Sequence, residues 1–207
     1  MPSIDEFTKR GIALRYWLLG RQWHLASEAQ EFAQTYHAGT RKDGVTPEMD
    51  HQVQVAHYVR TLHEHLLYPE ETIATAFLHD VREDYDVSDE EIRERFGDRV
   101  ADAVAAMTKK FRGTARDPHD VFEQIAGNPI ASIAKGADRI HNQHTAFGVF
   151  TAEKICDYIT ETEEYFLPML RSARTRYTRQ EPVYENLKFV LVSQVQLLRA
   201  VSTAPTP

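Results

Sequence analysis

The sequence predicts an all-α fold, a bundle of about ten helices, and three observations carry that expectation. Apolar residues recur at three- and four-residue spacing along nearly the whole chain. No region sustains the alternation of a half-buried strand, and helix-capping chemistry recurs between the periodic segments. Helices are expected near 3–19, 26–38, 50–66, 70–82, 88–96, 98–110, 118–126, 129–143, 151–173 and 181–201.

Taken in order, the elements have separate reasons. Between the second and third helices, Gly39-Thr40-Arg41-Lys42-Asp43-Gly44-Val45-Thr46-Pro47 is a loop, because two glycines, a proline and adjacent cations break any helical face. Ile73 to Leu78 is apolar enough for a buried helix. Ser88 and Glu91 form a capping box, in which hydroxyl and carboxylate satisfy opposite backbone donors, and Gly97 stops that helix at Phe96. Asp117-Pro118 and Asn128-Pro129 each set a side-chain acceptor before a proline suited to the first helical position. Small and apolar residues (Ile130, Ile133, Ala134, Ala137) line the helix that follows. The tail from Ser202 to Pro207 is expected to fray.

The chain has 207 residues, 42% hydrophobic and 27% charged, which fits one domain over 1–207 able to bury its own core. There is no internal repeat and no linker long enough to mark a boundary. Cys156, the single cysteine, has no partner for an internal disulfide and is expected to be a small core residue on a helix. No stretch approaches the roughly 18 apolar residues of a membrane span, and the N-terminus lacks the pattern of a signal peptide. A cytoplasmic location is expected by elimination. The formal charge of −7 disfavours a nucleic-acid binder, though a local basic pocket for a small phosphorylated substrate is compatible with it. A homo-oligomer is left open.

The densest chemistry lies in Phe77-Leu78-His79-Asp80-Val81-Arg82-Glu83-Asp84, where a buried helix runs into five ionisable side chains. Burying such groups without partners is costly, so a metal or a water-filled cleft is the natural resolution. His79 and Asp80 diverge by about 100° on one helix, so they share a metal only at a helix end or with help from other elements. Asp138 is expected to point inward from its small-residue helix, and His51, just after the broken loop, is the remaining candidate. Mixed imidazole and carboxylate ligation suits manganese, iron, zinc or magnesium better than a thiolate-rich structural site would. The dipeptide alone is weak evidence, and an inward Asp near an Arg is usually an ion pair. The ordered combination is what carries weight.

These residues resemble the HD-domain phosphohydrolases, and within them the hydrolase domain of the RelA/SpoT family. His37-Ala38-Gly39-Thr40-Arg41-Lys42-Asp43-Gly44 is similar to that family's histidine, glycine and arginine-lysine loop, with His51 following as its first ligand. Ala76 to Asp84 is similar to its His-Asp segment with a trailing Glu-Asp pair. Phe96-Gly97-Asp98 and Met107-Thr108-Lys109 resemble the stretch after it, and Lys135-Gly136-Ala137-Asp138-Arg139-Ile140-His141-Asn142 resembles the late Ala-Asp-Arg motif. Order and spacing hold over about residues 30–170. The chain departs from the pattern at Met49-Asp50, where Pro-Tyr is usual before the first ligand, at Gly136 in place of Leu, and at Tyr85 in place of Thr.

The resemblance implies a helical bundle with a metal, manganese foremost, held in a central cleft by His51, His79, Asp80 and Asp138. It implies hydrolysis of the 3′-pyrophosphate of guanosine tetra- and pentaphosphate, with adenosine alarmones also open, by a small monofunctional enzyme. Glu83, about one turn past two ligands, is then expected to position or deprotonate the attacking water, with Asp84 helping to orient it or shuttle the proton. Arg41, Lys42, Asn142 and Thr145, with Tyr165 a weaker candidate, are expected to contact the nucleotide. The plain alternatives are a solvated cationic loop for Arg41 and Lys42 and a core aromatic for Tyr165. Two other functions compete: an HD-type phosphatase acting on a nucleotide monophosphate or the 2′-phosphate of NADPH, and an antitoxin-like module that binds an alarmone synthetase.

Overall fold

A computed structural model describes residues 4–202, and their architecture is the all-α bundle expected. The helices are α1 (Ile4–Gly20), α2 (His24–Tyr36), α3 (Glu48–Thr61), α4 (Pro69–Leu78), α5 (Val81–Tyr85), α6 (Asp89–Met107), α7 (Pro118–Ala126), α8 (Ala131–Ala146), α9 (Ala152–Glu161), α10 (Leu167–Arg176) and α11 (Glu181–Ser202). A two-residue-by-two-residue hairpin, β1 (Lys110–Phe111) and β2 (Thr114–Ala115), joins α6 to α7 and was not legible as strand. Gly113 makes its turn with a φ of 82°. The expected fraying from Ser202 onward falls almost wholly outside the described residues.

α4 sits at the centre because its sequence has no polar face to offer water. Ile73, Ala74, Ala76, Phe77 and Leu78 are all fully buried, and the helix packs on α2, α3, α6 and α8. α8 is the second inner helix, clamped between α3, α4 and α11. Gly136 allows that clamp: a Cβ there would lie 3.1 Å from Leu187 of α11 and 3.4 Å from Leu170 of α10. The leucine that the family pattern favours at this position would not fit.

Capping follows the sequence with small shifts. Ser88 Oγ accepts from the Glu91 amide at 3.1 Å, and Asp117 accepts from His119 and Asp120. Asn128 Oδ1 accepts from both Ile130 and Ala131 at 2.9 Å, so α8 starts two residues beyond Pro129. Gly97, at φ 79° and ψ 170°, breaks the helical path inside α6 as expected, and a helix resumes at once on the other side. The single long helix expected over 151–173 is interrupted by a π-helical turn at Thr162–Phe166. Cys156 is exposed on α9, not a core residue: the buried positions of that helix are Ile155 and Ile159, and 156 falls off their face. No helix among the described residues is long and apolar enough to cross a membrane.

Candidate metal centre

Three separate stretches of chain converge at one point beside α4. α3 supplies His51 from its first turn, α4 ends in His79 as its C-terminal cap, Asp80 immediately precedes α5, and Asp138 comes from the middle of α8. The helix break at 79–80 resolves the divergence of adjacent side chains. His79 Nε2 lies 3.0 Å from Asp80 Oδ2 and 3.6 Å from Asp138 Oδ1. His51 Nε2 lies 3.2 Å from His79 Nε2, 3.2 Å from Asp138 Oδ1 and 3.8 Å from Asp80 Oδ2. Both imidazoles and Asp138 are buried, while the Asp80 side chain keeps 29% of its surface exposed.

Four such atoms so close repel one another unless a proton or a metal cation lies among them. Ligands held about 2.0–2.2 Å from one divalent ion stand roughly 3.0–3.5 Å apart, close to the separations here. The outward atoms are already engaged. His79 Nδ1 faces the Ala76 carbonyl at 2.9 Å, which fixes its proton there and turns the Nε2 lone pair inward. Lys135 Nζ donates to the outward Asp138 Oδ2 at 2.9 Å, while Asn142 Nδ2 donates at 2.5 Å to Oδ1, the oxygen that also faces the imidazoles. His51, His79 and Asp80 form a compact ligating group, Asp138 faces the same two imidazoles, and the set fits a divalent cation.

The electrostatics agree. Without a metal, burial alone would depress the His79 imidazole, yet Asp80 and Asp138 outweigh burial and push its pKa up to about 10. Burial holds His51 below its ordinary value, so the pair shares one positive charge. Burial works against the ionised Asp138, but Lys135 and the imidazoles hold its carboxyl well below the usual carboxylate range. Asp84 differs: burial first, then the charges of Asp80 and Glu83, raise its carboxyl to about 6. That is a carboxylate poised to take and return a proton near neutrality.

Two cavities open on the centre. The larger, about 520 Å³, is lined by His37, Arg41, Lys42, Asp84, His141 and Thr145 among others, and it has a volume suited to a nucleotide. The smaller, about 210 Å³, lies toward Glu83, Lys109, Lys135, Arg139 and Glu161. Arg41 Nη2 donates to Asn142 Oδ1 at 3.1 Å, so one amide links the cationic loop to Asp138. Lys42 Nζ stands 5.3 Å over the Phe150 ring. Glu83 Oε2 accepts the Lys109 amide at 2.9 Å, which turns it toward the smaller cavity, while Asp84 lines the larger one.

Tyr165 is not brought to either cavity. It packs on His119 and Phe122, at centroid distances of 5.3 and 5.2 Å, and Tyr158 lines both cavities instead. In a regular helix residues 158 and 165 would share a face, but Tyr165 lies inside the π turn at 162–166, whose wider winding breaks that register. Sequence reasoning also passed over His37, whose buried Nε2 has no partner and whose pKa burial lowers to about 4. Arg10 and Phe7 of α1, ahead of the motif region, also line the larger cavity, with Arg10 held by Asp50 at 2.9 Å. The available signal for His37 was its place in the loop motif; for Arg10 there was none.

The HD domain family model matches residues 29–120. A probable guanosine-3′,5′-bis(diphosphate) 3′-pyrophosphohydrolase of Synechocystis is 34% identical over 146 residues, covering 67% of this chain and 19% of that protein. The guanosine-3′,5′-bis(diphosphate) 3′-pyrophosphohydrolase of Aquifex aeolicus is also 34% identical over 146 residues, 68% of this chain and 20% of its own length. A Brucella ovis GTP pyrophosphokinase rsh is 27% identical over 165 residues, covering 76% of this chain and 21% of that protein. The chain thus spans about a fifth of the length of the curated relatives it matches.

Proposed function

We propose, from the match of the HD domain family model to residues 29–120, that this chain is a manganese-dependent HD-type hydrolase of guanosine alarmones, removing the 3′-pyrophosphate of guanosine tetra- and pentaphosphate. The observation that carries the reading is the convergence of His51 Nε2, His79 Nε2, Asp80 Oδ2 and Asp138 Oδ1 beside a nucleotide-sized cleft. The likeness to two proteins named as 3′-pyrophosphohydrolases supports the choice of substrate.

His51, His79, Asp80 and Asp138 would hold the cation, which would supply Lewis-acid polarisation of a phosphate oxygen and of water. Asp84, on the cleft wall with its raised pKa, accepts the proton of the attacking water. The water oxygen bonds to the phosphorus attached to the ribose 3′ oxygen. The bond from that 3′ oxygen to phosphorus breaks, the oxygen takes up a proton, and pyrophosphate leaves. Glu83, tied to the Lys109 amide, fixes the turn that presents Asp84 and faces the cavity carrying Lys109 and Arg139. Arg41 is oriented by Asn142 for stacking or ion pairing with the nucleotide, and Lys42 and Thr145 complete that wall.

The experiment is product analysis on Mn²⁺-loaded protein offered guanosine and adenosine alarmones and NADPH. Pyrophosphate and GDP from guanosine tetraphosphate are expected. Orthophosphate from NADPH alone would replace the reading with a phosphatase, and no turnover of any member of the panel would overturn it. An Asp80→Ala variant without turnover but with full biological activity would favour the binding-module alternative.

A further inference from the structure

His51 and His141 approach through the wrong pair of nitrogens for two ligands. His51 Nδ1 lies 2.8 Å from His141 Nδ1, with ring centroids 4.8 Å apart. A contact that short between imidazole nitrogens is a hydrogen bond, so one nitrogen carries the proton and the other accepts. His51 Nε2 faces His79, Asp80 and Asp138, and a metal there needs the lone pair on that atom. A neutral His51 with a free Nε2 must carry its proton on Nδ1. His141 Nδ1 is then the acceptor, and the His141 proton sits on Nε2.

We infer that His141 is a positioning residue for the metal centre: its Nδ1 accepts the His51 Nδ1–H, and this selects the tautomer and ring orientation that turn His51 Nε2 to the metal. The fold places it there without adjustment. His141 follows Asp138 by three residues on α8, so both project from one helix face toward α3. The two imidazoles therefore receive matched support, His79 from the Ala76 carbonyl and His51 from another ring. The tautomer has a second consequence. His141 lines the larger cavity, and its Nε2 makes no hydrogen bond among the described residues, so the Nε2–H is a donor available to a nucleotide in the cleft. The inference rests on the metal-centre reading but not on the identity of the substrate.

The test is a Mn²⁺ titration of the full chain, with free Mn²⁺ followed by electron paramagnetic resonance and no substrate present. His141→Phe keeps a ring but offers no acceptor, and a loss of roughly 10–100-fold in affinity is expected. His141→Asn offers its Oδ1 to His51 Nδ1–H and is expected to recover most of that loss. His141→Phe within about twofold of wild type would overturn the inference. So would equal losses in both variants accompanied by an equal fall in the Tm of chelator-treated protein, since the residue would then be structural. Wild-type protein that binds no Mn²⁺ overturns the metal centre itself. A failure to hydrolyse alarmone leaves the titration unaffected.

Discussion

His79 makes the centre's charge depend on pH. Its imidazole is pushed up to about 10 by Asp80 and Asp138, so below that pH a proton occupies the place a divalent cation would take. Binding must displace that proton, and apparent affinity should rise with pH, by about tenfold per unit while His79 stays protonated in the free chain. Calorimetry of Mn²⁺ binding in buffers of different ionisation enthalpy should report about one proton released per ion at pH 7. A buffer-independent heat would show that His79 is already neutral. Asp84 gives a second residue-scale prediction. Its carboxyl, raised to about 6, works as a base only when ionised, so turnover should be lost as the pH falls through that value, and lower still once a cation stands nearby. Asp84→Asn should lose roughly 10²–10⁴-fold in kcat and abolish that acid limb, with Mn²⁺ affinity unchanged. A variant retaining wild-type kcat would remove Asp84 from the chemistry.

At the scale of elements, the informative positions are those where one helix had to yield to another. Gly136 is such a place, since its missing Cβ is what brings α8 against Leu187 and Leu170. Gly136→Leu should cost about 1–3 kcal/mol in urea unfolding through overpacking, and Leu187→Ala in the same chain should recover part of it. Simple additivity of the two losses would mean the contact is not the cause. Much at this scale was readable beforehand. The apolar run of α4, the glycine break in α6 and the Asp117 cap are local chemistry, and each stands where the sequence put it. The π turn at Thr162–Phe166 was not readable, because nothing in TEEYF distinguishes it from an α-helical turn; Tyr165 lies within it and off the cleft, and Tyr158 before it lines the cleft. The hairpin at 110–115 is too short for any periodicity to register.

For the molecule as a whole, the centre is the point that ties remote chain segments together. Residues 51, 79, 80 and 138 come from α3, the α4–α5 junction and α8, and Lys135 and His141 flank them from α8. The motifs could supply the ligands in order, but not which partner orients each one, because those contacts span as many as 90 residues of sequence and exist only after packing. The unfolded chain has no such preformed site, so a metal bound here stabilises the native state by mass action. At a free ion concentration about 100 times Kd the gain is about 2.7 kcal/mol. For a chain of this size each kcal/mol moves Tm by about 2–4 °C, so chelation should lower Tm by roughly 5–11 °C. The shift should grow with the logarithm of Mn²⁺ concentration, and it should vanish in Asp80→Ala. That variant removes a ligand at the partly exposed edge of the site and leaves the buried Lys135–Asp138 pair intact. A Tm indifferent to Mn²⁺ in the wild-type chain would mean that the four side chains gather for another reason. Their close approach would then have to rest on the shared His79 proton alone.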